Sequence, residues 1–445
     1  MPGIGQNQTI EQAVILTNSL KGDGGGAVPL LRVATMPVVL RSILTAKKAG
    51  ATKFLVVLDS DKGPEIRRAL EHHRRLPAGV EWLTLPEGQT SLTATLREVA
   101  QRVGDRFLLL PGEATFHASL LDQIKSPNGG GALALTVSDQ PTGIYRFSRQ
   151  TALAVASQAP PLQSLDDLNA WLNQARLLQR EEVDEKFWQP IAGSEDLPKA
   201  EAKLDRWLFK ETDGIYSRFN RKISIPISRV LIRLRITPNM VTLFTLLMSF
   251  VSGVFFALGG YVNGIIGALL SHWASVLDGS DGEVARLTFQ ESDFGCWLET
   301  MCDNFYYVFV FGGMVIGMYR ASRSMVYPIA GGLLAFGTIM SFITTAYQRR
   351  TITRHQPEKY LAKWQKKMDA HQGNFFLRFA RRHEFIIRRS FFPYAILFFA
   401  IFNILEVLFF LIVVGANLVW ALALYSNRVF HHDSAAEVAE RSLKS

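Results

Sequence analysis

The chain has 445 residues, of which 48% are hydrophobic and 20% charged, and its formal net charge at pH 7 is +9. This length allows two or three domains, and the apolar residues concentrate after residue 238. Because the basic residues cluster beside apolar segments, the charge favours anionic lipid head groups and phosphates over nucleic acid. The two cysteines, Cys296 and Cys302, are too few for a zinc site and are expected in helix packing.

Residues 1–200 predict a soluble domain of alternating strands and helices. Strands are expected over 13–16, 53–58, 81–85 and 106–110, and helical patterns over 27–49, 65–75 and 91–103. This order is typical of a doubly wound, mostly parallel α/β sheet. A glycine-rich loop over 17–26 follows the first strand, where such a fold binds phosphate. The N-terminus lacks a signal-peptide pattern, so we expect this domain in the cytoplasm.

Residues 201–237 predict a connector followed by a juxtamembrane amphipathic helix. Ile223, Ile227, Leu231 and Leu234 form an apolar stripe, and arginines and a lysine surround it. A basic amphipathic helix beside a membrane span lies in the membrane interface. We therefore expect this helix to contact lipid.

Residues 238–430 predict an all-α domain of six transmembrane helices, with a polar tail over 431–445. The spans are expected near 239–259, 263–287, 294–318, 325–347, 390–403 and 405–427. The segment 349–389 is rich in arginine and lysine, whereas the opposite side has only Arg320 and Arg323. The positive-inside rule places the N-terminal domain and the basic segment in the cytoplasm. That segment is either a solvated topology determinant or an anion site, in which Arg388 or Arg389 binds a phosphate.

Four of the acidic residues within the second and third predicted spans are regularly spaced, and each carboxylate there costs about 2.5–3.5 kcal/mol to insert. Asp278 and Asp281 share one helical face, and Glu299 and Asp303 share another. Two antiparallel helices can direct all four at one point. Such hard oxygen ligands suit Mg²⁺ or Mn²⁺. A buried ion-pair network is the alternative, although Arg286 alone cannot neutralise four carboxylates.

These residues resemble the signature of the CDP-alcohol phosphotransferase family, D-x-x-D-G-x-x-A-R-x8-G-x3-D-x3-D. Every spacing is kept, and Glu299 stands where the family usually has aspartate, which retains the charge and alters the geometry. The segment Thr237-Pro-Asn-Met-Val-Thr242 is similar to the family's start of the first span. The matching signature residues are Asp278, Asp281, Gly282, Ala285, Arg286, Gly295, Glu299 and Asp303.

The resemblance implies transfer of a substituted phosphate from a CDP-activated alcohol to an alcohol or polyol-phosphate acceptor, with release of CMP. It implies two Mg²⁺ or Mn²⁺ ions held by Asp278, Asp281, Glu299 and Asp303, with Asp303 also a candidate general base. Gly282, Ala285, Arg286, Gly295 and Asn239 would form the nucleotide pocket. If the basic segment is an anion site, Arg388 or Arg389 would receive the phosphate of the acceptor or a lipid head group. Contact with membrane lipids, a homodimer and no nucleic-acid partner are expected.

The N-terminal part is similar to sugar nucleotidyltransferase domains. The combination resembles the family branch in which such a domain is fused in front, as in bifunctional inositol-1-phosphate cytidylyltransferase/di-inositol phosphate phosphate synthases. This sequence departs from active nucleotidyltransferases at two motifs. The loop lacks Gly-x-Gly-x-Arg, and Ala27-Val28 stand where those enzymes have a lysine before the Pro-Leu pair that begins at Pro29. Glu113 would align with the acidic metal ligand, and Lys21 could replace the missing charge. We expect a retained fold with lost or changed transferase chemistry.

Two other classes of function remain open. The intramembrane carboxylates could form the ion path of a transporter, but no polar residues continue that path through the third or fourth span. A catalytically degenerate scaffold would fit the altered N-terminal domain and Glu299, but not the nearly complete signature. Metal-dependent CMP release separates the three classes.

Overall fold

A computed structural model describes residues 10–17, 28–88, 91–124, 131–209, 213–353 and 391–443. The chain divides into two compact units. The first unit is Met1–Lys210 with Leu287–Phe289, and the second is Glu211–Arg286 with Gln290–Ser445. The predicted phosphate loop, with Lys21, and the predicted anion site at Arg388 and Arg389 lie outside the described residues.

The first unit is built on a seven-stranded sheet with the order β10-β8-β9-β6-β1-β4-β5, and β9 alone runs antiparallel to its neighbours. The predicted mostly parallel α/β sheet is therefore confirmed. Two short antiparallel pairs, β2 with β3 and β7 with β11, lie outside this sheet. The strands are β1 Gln12–Leu16, β2 Arg32–Val33, β3 Met36–Pro37, β4 Lys53–Leu58, β5 Val80–Thr84, β6 Arg106–Pro111, β7 Ala114–Phe116, β8 Ala132–Val137, β9 Gln140–Ser148, β10 Leu178–Glu182 and β11 Trp188–Pro190.

Helices cover both faces of this sheet, as expected for a doubly wound fold. Alternate residues of a strand point to opposite faces, so Ala13 and Ile15 join one hydrophobic cluster while Val14 and Leu16 join the other. The first cluster includes residues of α1, α2 and α4, and the second includes residues of α3, α5 and α6. The helices are α1 Val38–Lys48, α2 Gly63–Glu71, α3 Leu92–Ala100, α4 Ala118–Ile124, α5 Arg149–Gln158, α6 Leu165–Gln174 and α7 Leu197–Leu208.

All the secondary structure elements described in the second unit are helices. Four of its helices are long and apolar enough to cross a membrane, over Pro238–Leu258, Asp293–Ser322, Val326–Thr344 and Leu405–Leu422. The shorter Phe392–Ile401 is also apolar, and Tyr261–Thr288 carries the acidic signature, so the count of six spans stays a prediction. The helices are α8 Ile215–Arg233, α9 Pro238–Leu258, α10 Tyr261–Thr288, α11 Asp293–Ser322, α12 Val326–Thr353, α13 Phe392–Ile401 and α14 Leu405–Leu443.

Glycines bring α9 and α11 into backbone contact. A Cβ added at Gly313 would meet the carbonyl oxygen of Gly253, and one at Gly317 would meet that of Phe256. Small residues at such spacing allow close helix approach inside a membrane. The rising numbers on both helices show that α9 and α11 run parallel. Two residues of α9 donate hydrogen bonds to α10: Ser252 Oγ donates to Gly267 O, and Thr242 Oγ1 donates to Asp281. Because the residue numbers rise on α10 as they fall on α9, the two helices run antiparallel.

Candidate active site

The candidate site lies where three helix termini meet. Because α9 and α11 run parallel and α10 runs the opposite way, the first turns of α9 and α11 lie beside the last turns of α10. This brings Asn239 and Thr242 of α9 towards Asp281 of α10 and Gly295 of α11. The two halves of the signature lie on α10 and α11, on either side of the turn that joins these helices, and this arrangement places both halves at the same end of the helix bundle.

Asp281 is a buried carboxylate of the signature that is held by two hydrogen bonds. Only 4% of its surface is exposed. Its Oδ2 accepts a hydrogen bond of 2.7 Å from Thr242 Oγ1, and its Oδ1 accepts one from the backbone N–H of Gly282. These bonds fix the carboxylate in one orientation at low solvent exposure. Thr242 is the last residue of the Thr-Pro-Asn-Met-Val-Thr segment. The sequence marked this segment as the start of the first span but predicted no role for Thr242 itself.

Two further signature carboxylates act on Asp281. Asp278, one turn earlier on α10, and Glu299 of α11 are its charged neighbours, and both are acidic. Asp278 and Asp303 are partly buried and Glu299 is exposed. Like charges gathered at low dielectric need a cation to compensate them. In the described part of the chain no three acidic, histidine or cysteine side chains lie close enough together to hold a metal ion, so the structure brings Asp278 and Glu299 towards Asp281 but does not assemble the four predicted ligands into a formed site.

The residues predicted to bind nucleotide form two pairs. At the start of α11, Ser292 Oγ accepts from the N–H of Gly295, and a Cβ at Gly295 would lie 3.5 Å from Asn239 Oδ1. On α10, a Cβ at Gly282 would lie 3.3 Å from Arg286 Nη1. Both glycines therefore leave space that any larger residue would fill. Ala285, one residue before Arg286, is partly buried and also small.

A second charged cluster was not anticipated from the sequence. Glu283 is fully buried and accepts hydrogen bonds from three side chains of α8: Ser224 Oγ at 2.6 Å, Ser228 Oγ at 2.7 Å and Arg221 Nη1 at 3.2 Å. Arg221 also forms a bidentate ion pair with Asp213. We call these five residues the Glu283 network. Glu283 occupies a variable position of the signature, so the signature alone gives it no role.

Arg286, which would close the alternative ion-pair network across the signature carboxylates, lies among the charges of the Glu283 network. Arg221 repels its guanidinium, whereas Glu283, Glu291 and Asp213 attract it. The arginine is thus engaged on the side of the Glu283 network.

Residues 235–370 match the family model described as CDP-alcohol phosphatidyltransferase, and the second unit carries a domain of that family. The chain is 26% identical over 335 residues to a "Bifunctional IPC transferase and DIPP synthase" of Aquifex aeolicus, covering 66% of this chain and 75% of that protein. It is also 26% identical over 380 residues to the protein so named in Archaeoglobus fulgidus, covering 75% and 70%. The structure of the inositol-1-phosphate CTP transferase from T. maritima aligns at 12% identity with a TM-score of 0.36, covering 44% of this chain and 96% of that one.

These findings confirm the predicted class. The chain is an enzyme, a multi-pass membrane transferase that uses a CDP-alcohol. Enzymes of this family generally depend on a divalent metal ion. The transporter and scaffold alternatives are disfavoured, because the family and the curated relatives are enzymes.

Proposed function

We propose that the second unit transfers a substituted phosphate from a CDP-alcohol to the hydroxyl of a second alcohol and releases CMP. The observation that carries this proposal is the buried carboxylate of Asp281, fixed by Thr242 and Gly282 and facing the charges of Asp278 and Glu299. Such an arrangement costs folding free energy unless a cation compensates it. Binding of a metal–phosphate complex at this carboxylate would supply the compensating cation.

The donor set fits divalent cations, since carboxylate oxygens are the ligands that Mg²⁺ and Mn²⁺ prefer. Asp278, Asp281, Glu299 and Asp303 would hold two such ions. Bound there, the ions would neutralise charge on the donor diphosphate and on the departing CMP. Thr242 would orient Asp281, and the methylene that Glu299 adds would let it reach the ions from its exposed position on α11.

The remaining roles follow from the placement of the other signature residues. The small residues Gly282, Ala285 and Gly295 would let the nucleotide approach the helix backbones, with Asn239 beside Gly295. Arg286 would bind a phosphate of the donor, because a guanidinium forms two parallel hydrogen bonds to phosphate oxygens.

Asp303 would act as the general base of the transfer. The acceptor hydroxyl oxygen forms a new bond to the phosphorus that carries the donor's alcohol, and the bond from that phosphorus to CMP breaks. CMP leaves with the bonding electron pair, and the hydroxyl proton passes to the Asp303 carboxylate. A carboxylate near a metal and apolar walls can be tuned for this proton transfer.

We propose a soluble CDP-polyol such as CDP-inositol as donor, and a polyol phosphate as acceptor. The curated relatives are named for IPC transferase and DIPP synthase activities, and they match along both units of this chain. A soluble donor also fits an α/β unit that precedes the membrane part in sequence, and we propose that this unit's own transferase chemistry has been lost or changed. Arg388 and Arg389 would bind the acceptor phosphate, and the enzyme would act as a homodimer in contact with membrane lipids.

CMP release by the purified full-length protein in detergent tests this function. CDP-inositol and CDP-diacylglycerol are supplied separately, with Mn²⁺ or Mg²⁺, against a panel of alcohol acceptors. We expect release with CDP-inositol and its loss on metal chelation. Release with CDP-diacylglycerol alone would retain the transferase and overturn the soluble donor, whereas silence with every pair would overturn the function.

Variants of the metal ligands connect that activity to the site. Asp281→Asn should lower CMP release at least about a hundredfold, because the amide cannot supply the anionic ligand. Glu299→Asp restores the usual family residue and should stay within about tenfold of the natural protein. Unchanged melting temperatures in both variants would show that the losses concern the site rather than folding.

A further inference from the structure

Helix α10 presents two different charged faces within one turn. Asp281 is directed to Thr242 of α9, whereas Glu283, two residues later, is directed to α8. Gly279 precedes Glu283 by one turn, and a Cβ there would lie 3.8 Å from both Glu283 Oε1 and Ser224 Oγ. The Glu283 network therefore contacts α10 at Gly279, on a face separate from that of Asp281.

Arg286 lies between these two faces. Its guanidinium packs against Gly282, whose Cβ position is 3.3 Å from Nη1, and Gly282 directly follows Asp281. Among the described residues, the buried Nε of Arg286 has no hydrogen-bond partner. The guanidinium is therefore positioned by neighbouring charges rather than by a hydrogen bond at Nε.

A guanidinium in this place is a competitor for the metal. Arg286 is on the same helix as Asp278 and Asp281, and pairing with them would neutralise the charge that a divalent ion needs. Glu283, three residues before Arg286 on the same helix, attracts the guanidinium from a fully buried position, where charge interactions are weakly screened, and Asp213 adds to this attraction while Arg221 opposes it. Three hydrogen bonds from α8 keep that carboxylate in place.

We propose that Glu283 is a positioning residue that retains Arg286 beside Gly282 and prevents its pairing with Asp278 and Asp281. The carboxylates then remain available to a divalent cation, and the guanidinium remains available to a phosphate. This inference rests on the proposed function, because it assumes that the signature carboxylates bind metal. It adds a role for a residue that contacts neither metal nor substrate.

A double-mutant cycle read by Mn²⁺ binding tests this role without relying on activity. Mn²⁺ is titrated by electron paramagnetic resonance into the full-length protein in detergent, without nucleotide. Glu283→Gln should weaken Mn²⁺ binding at least about tenfold, a coupling common between linked sites. In an Arg286→Gln background the same change should alter Mn²⁺ affinity less than about twofold, since the competing cation is gone.

Glu291→Gln is the matched control. Glu291 also acts on Arg286, but it is exposed at the turn between α10 and α11, where water screens its charge. We expect its Mn²⁺ affinity to stay within about twofold of the natural protein. A loss equal to that of Glu283→Gln would show a general charge effect and overturn the positioning role.

Anchoring of α8 can be separated from this electrostatic role. The double variant Ser224→Ala, Ser228→Ala keeps the Glu283 charge and removes two donors, so it should melt at a lower temperature while retaining Mn²⁺ affinity. If the melting temperature and the Mn²⁺ affinity fell together, Glu283 would have a merely structural role. This variant distinguishes the two roles even if Glu283→Gln does not fold.

Equal weakening of Mn²⁺ binding by Glu283→Gln in the natural and Arg286→Gln backgrounds also overturns the inference. Failure of the natural protein to bind Mn²⁺ overturns the proposed metal site itself.

Discussion

The hydroxyl of Thr242 is the smallest group on which the candidate site depends. Thr242→Val keeps the shape of the side chain and removes the 2.7 Å hydrogen bond to Asp281. A buried carboxylate oxygen that loses a donor costs about 1–3 kcal/mol. We therefore expect kcat/KM for CMP release to fall by about tenfold to a hundredfold, measured with saturating metal.

Thr245→Val is the control for this substitution. Thr245 is equally buried on α9, but its hydroxyl donates to the backbone oxygen of Thr242 and not to a carboxylate. The control should keep nearly full activity. A similar loss of activity in both variants would mean that the hydroxyl of Thr242 supports the helix and not Asp281.

His117 gives the first unit a pH-dependent stability. Burial lowers the pKa of its imidazole below 6.5, as does Lys48, while Asp122 opposes the shift. Nδ1 accepts a hydrogen bond from the backbone N–H of Ser119 at 3.2 Å, so the neutral ring fits the fold. The unfolded chain therefore binds more protons, and this stability is complete above pH 6.5 and is lost as the pH falls below it.

His117→Asn tests that sign. The amide oxygen can accept the same hydrogen bond at the start of α4 but does not titrate. Between pH 7 and pH 5.5 the natural protein should lose more thermal stability than the variant, by at most about 1.4 kcal/mol per pH unit. Parallel melting-temperature curves for the two proteins would contradict the assignment.

At the level of single residues, the sequence predicted the carboxylates well but not their partners. Acidic residues in an apolar segment stand out because their insertion is costly, and rigid spacing assigns them to helix faces. Thr242, Ser224 and Ser228 are ordinary residues whose role depends on which helix lies opposite. The sequence did not indicate a role for Glu283, because its three hydrogen-bond donors come from a helix about 60 residues earlier in the chain.

The pairing of α9 with α11 is the element on which the geometry of the site depends. Gly313→Ala would push a methyl group against the carbonyl oxygen of Gly253, and neither backbone can yield without separating the helices. Overpacking of this kind costs about 1–3 kcal/mol. The first turns of α9 and α11 would shift with it, so both melting temperature and CMP release should fall.

Gly312→Ala is the matched control on the adjacent residue. A Cβ at Gly312 meets nothing within 4 Å, and alanine is favoured over glycine in a helix by about 1 kcal/mol. This variant should therefore be at least as stable as the natural protein. If it melted as low as Gly313→Ala, the helix contact would not be the cause.

Helix α8 shows what hydrophobic periodicity misses. The sequence predicted an amphipathic helix from its apolar stripe, and most of that stripe is only partly buried in the protein, with Leu234 66% exposed. The face that α8 buries is largely polar and contains Asn220, Ser224 and Ser228, spaced four residues apart. Asn220 accepts a hydrogen bond from Tyr394 of α13. A search for apolar residues alone cannot detect such an interface.

For the whole molecule, the sequence predicted the two architectures because each leaves a strong hydrophobic signal. A fully buried strand such as β1 gives a continuous apolar run, and long apolar helices give the candidate spans. The antiparallel insertion of β9 was not predicted, because strand order depends on contacts between distant segments. The six-span topology remains a prediction that rests on the lengths of the helices and the distribution of charge.

That topology makes a prediction about sidedness. With basic residues concentrated over 349–389, the positive-inside rule places the first unit and the α10–α11 turn in the cytoplasm and the α11–α12 turn outside. Single cysteines at exposed positions, Glu87→Cys, Glu291→Cys and Met325→Cys, report this in a background of Cys296→Ser and Cys302→Ser.

A membrane-impermeant maleimide should label intact cells at Met325→Cys alone, and permeabilised cells at all three positions. Glu291→Cys is decisive because it lies in the turn that joins the two signature helices. Its labelling from outside would place the carboxylates away from cytoplasmic CDP-activated donors and would exclude the proposed reaction in that orientation. Labelling of Glu87→Cys from outside, with Glu291→Cys protected, would instead require an odd number of crossings between the first unit and that turn.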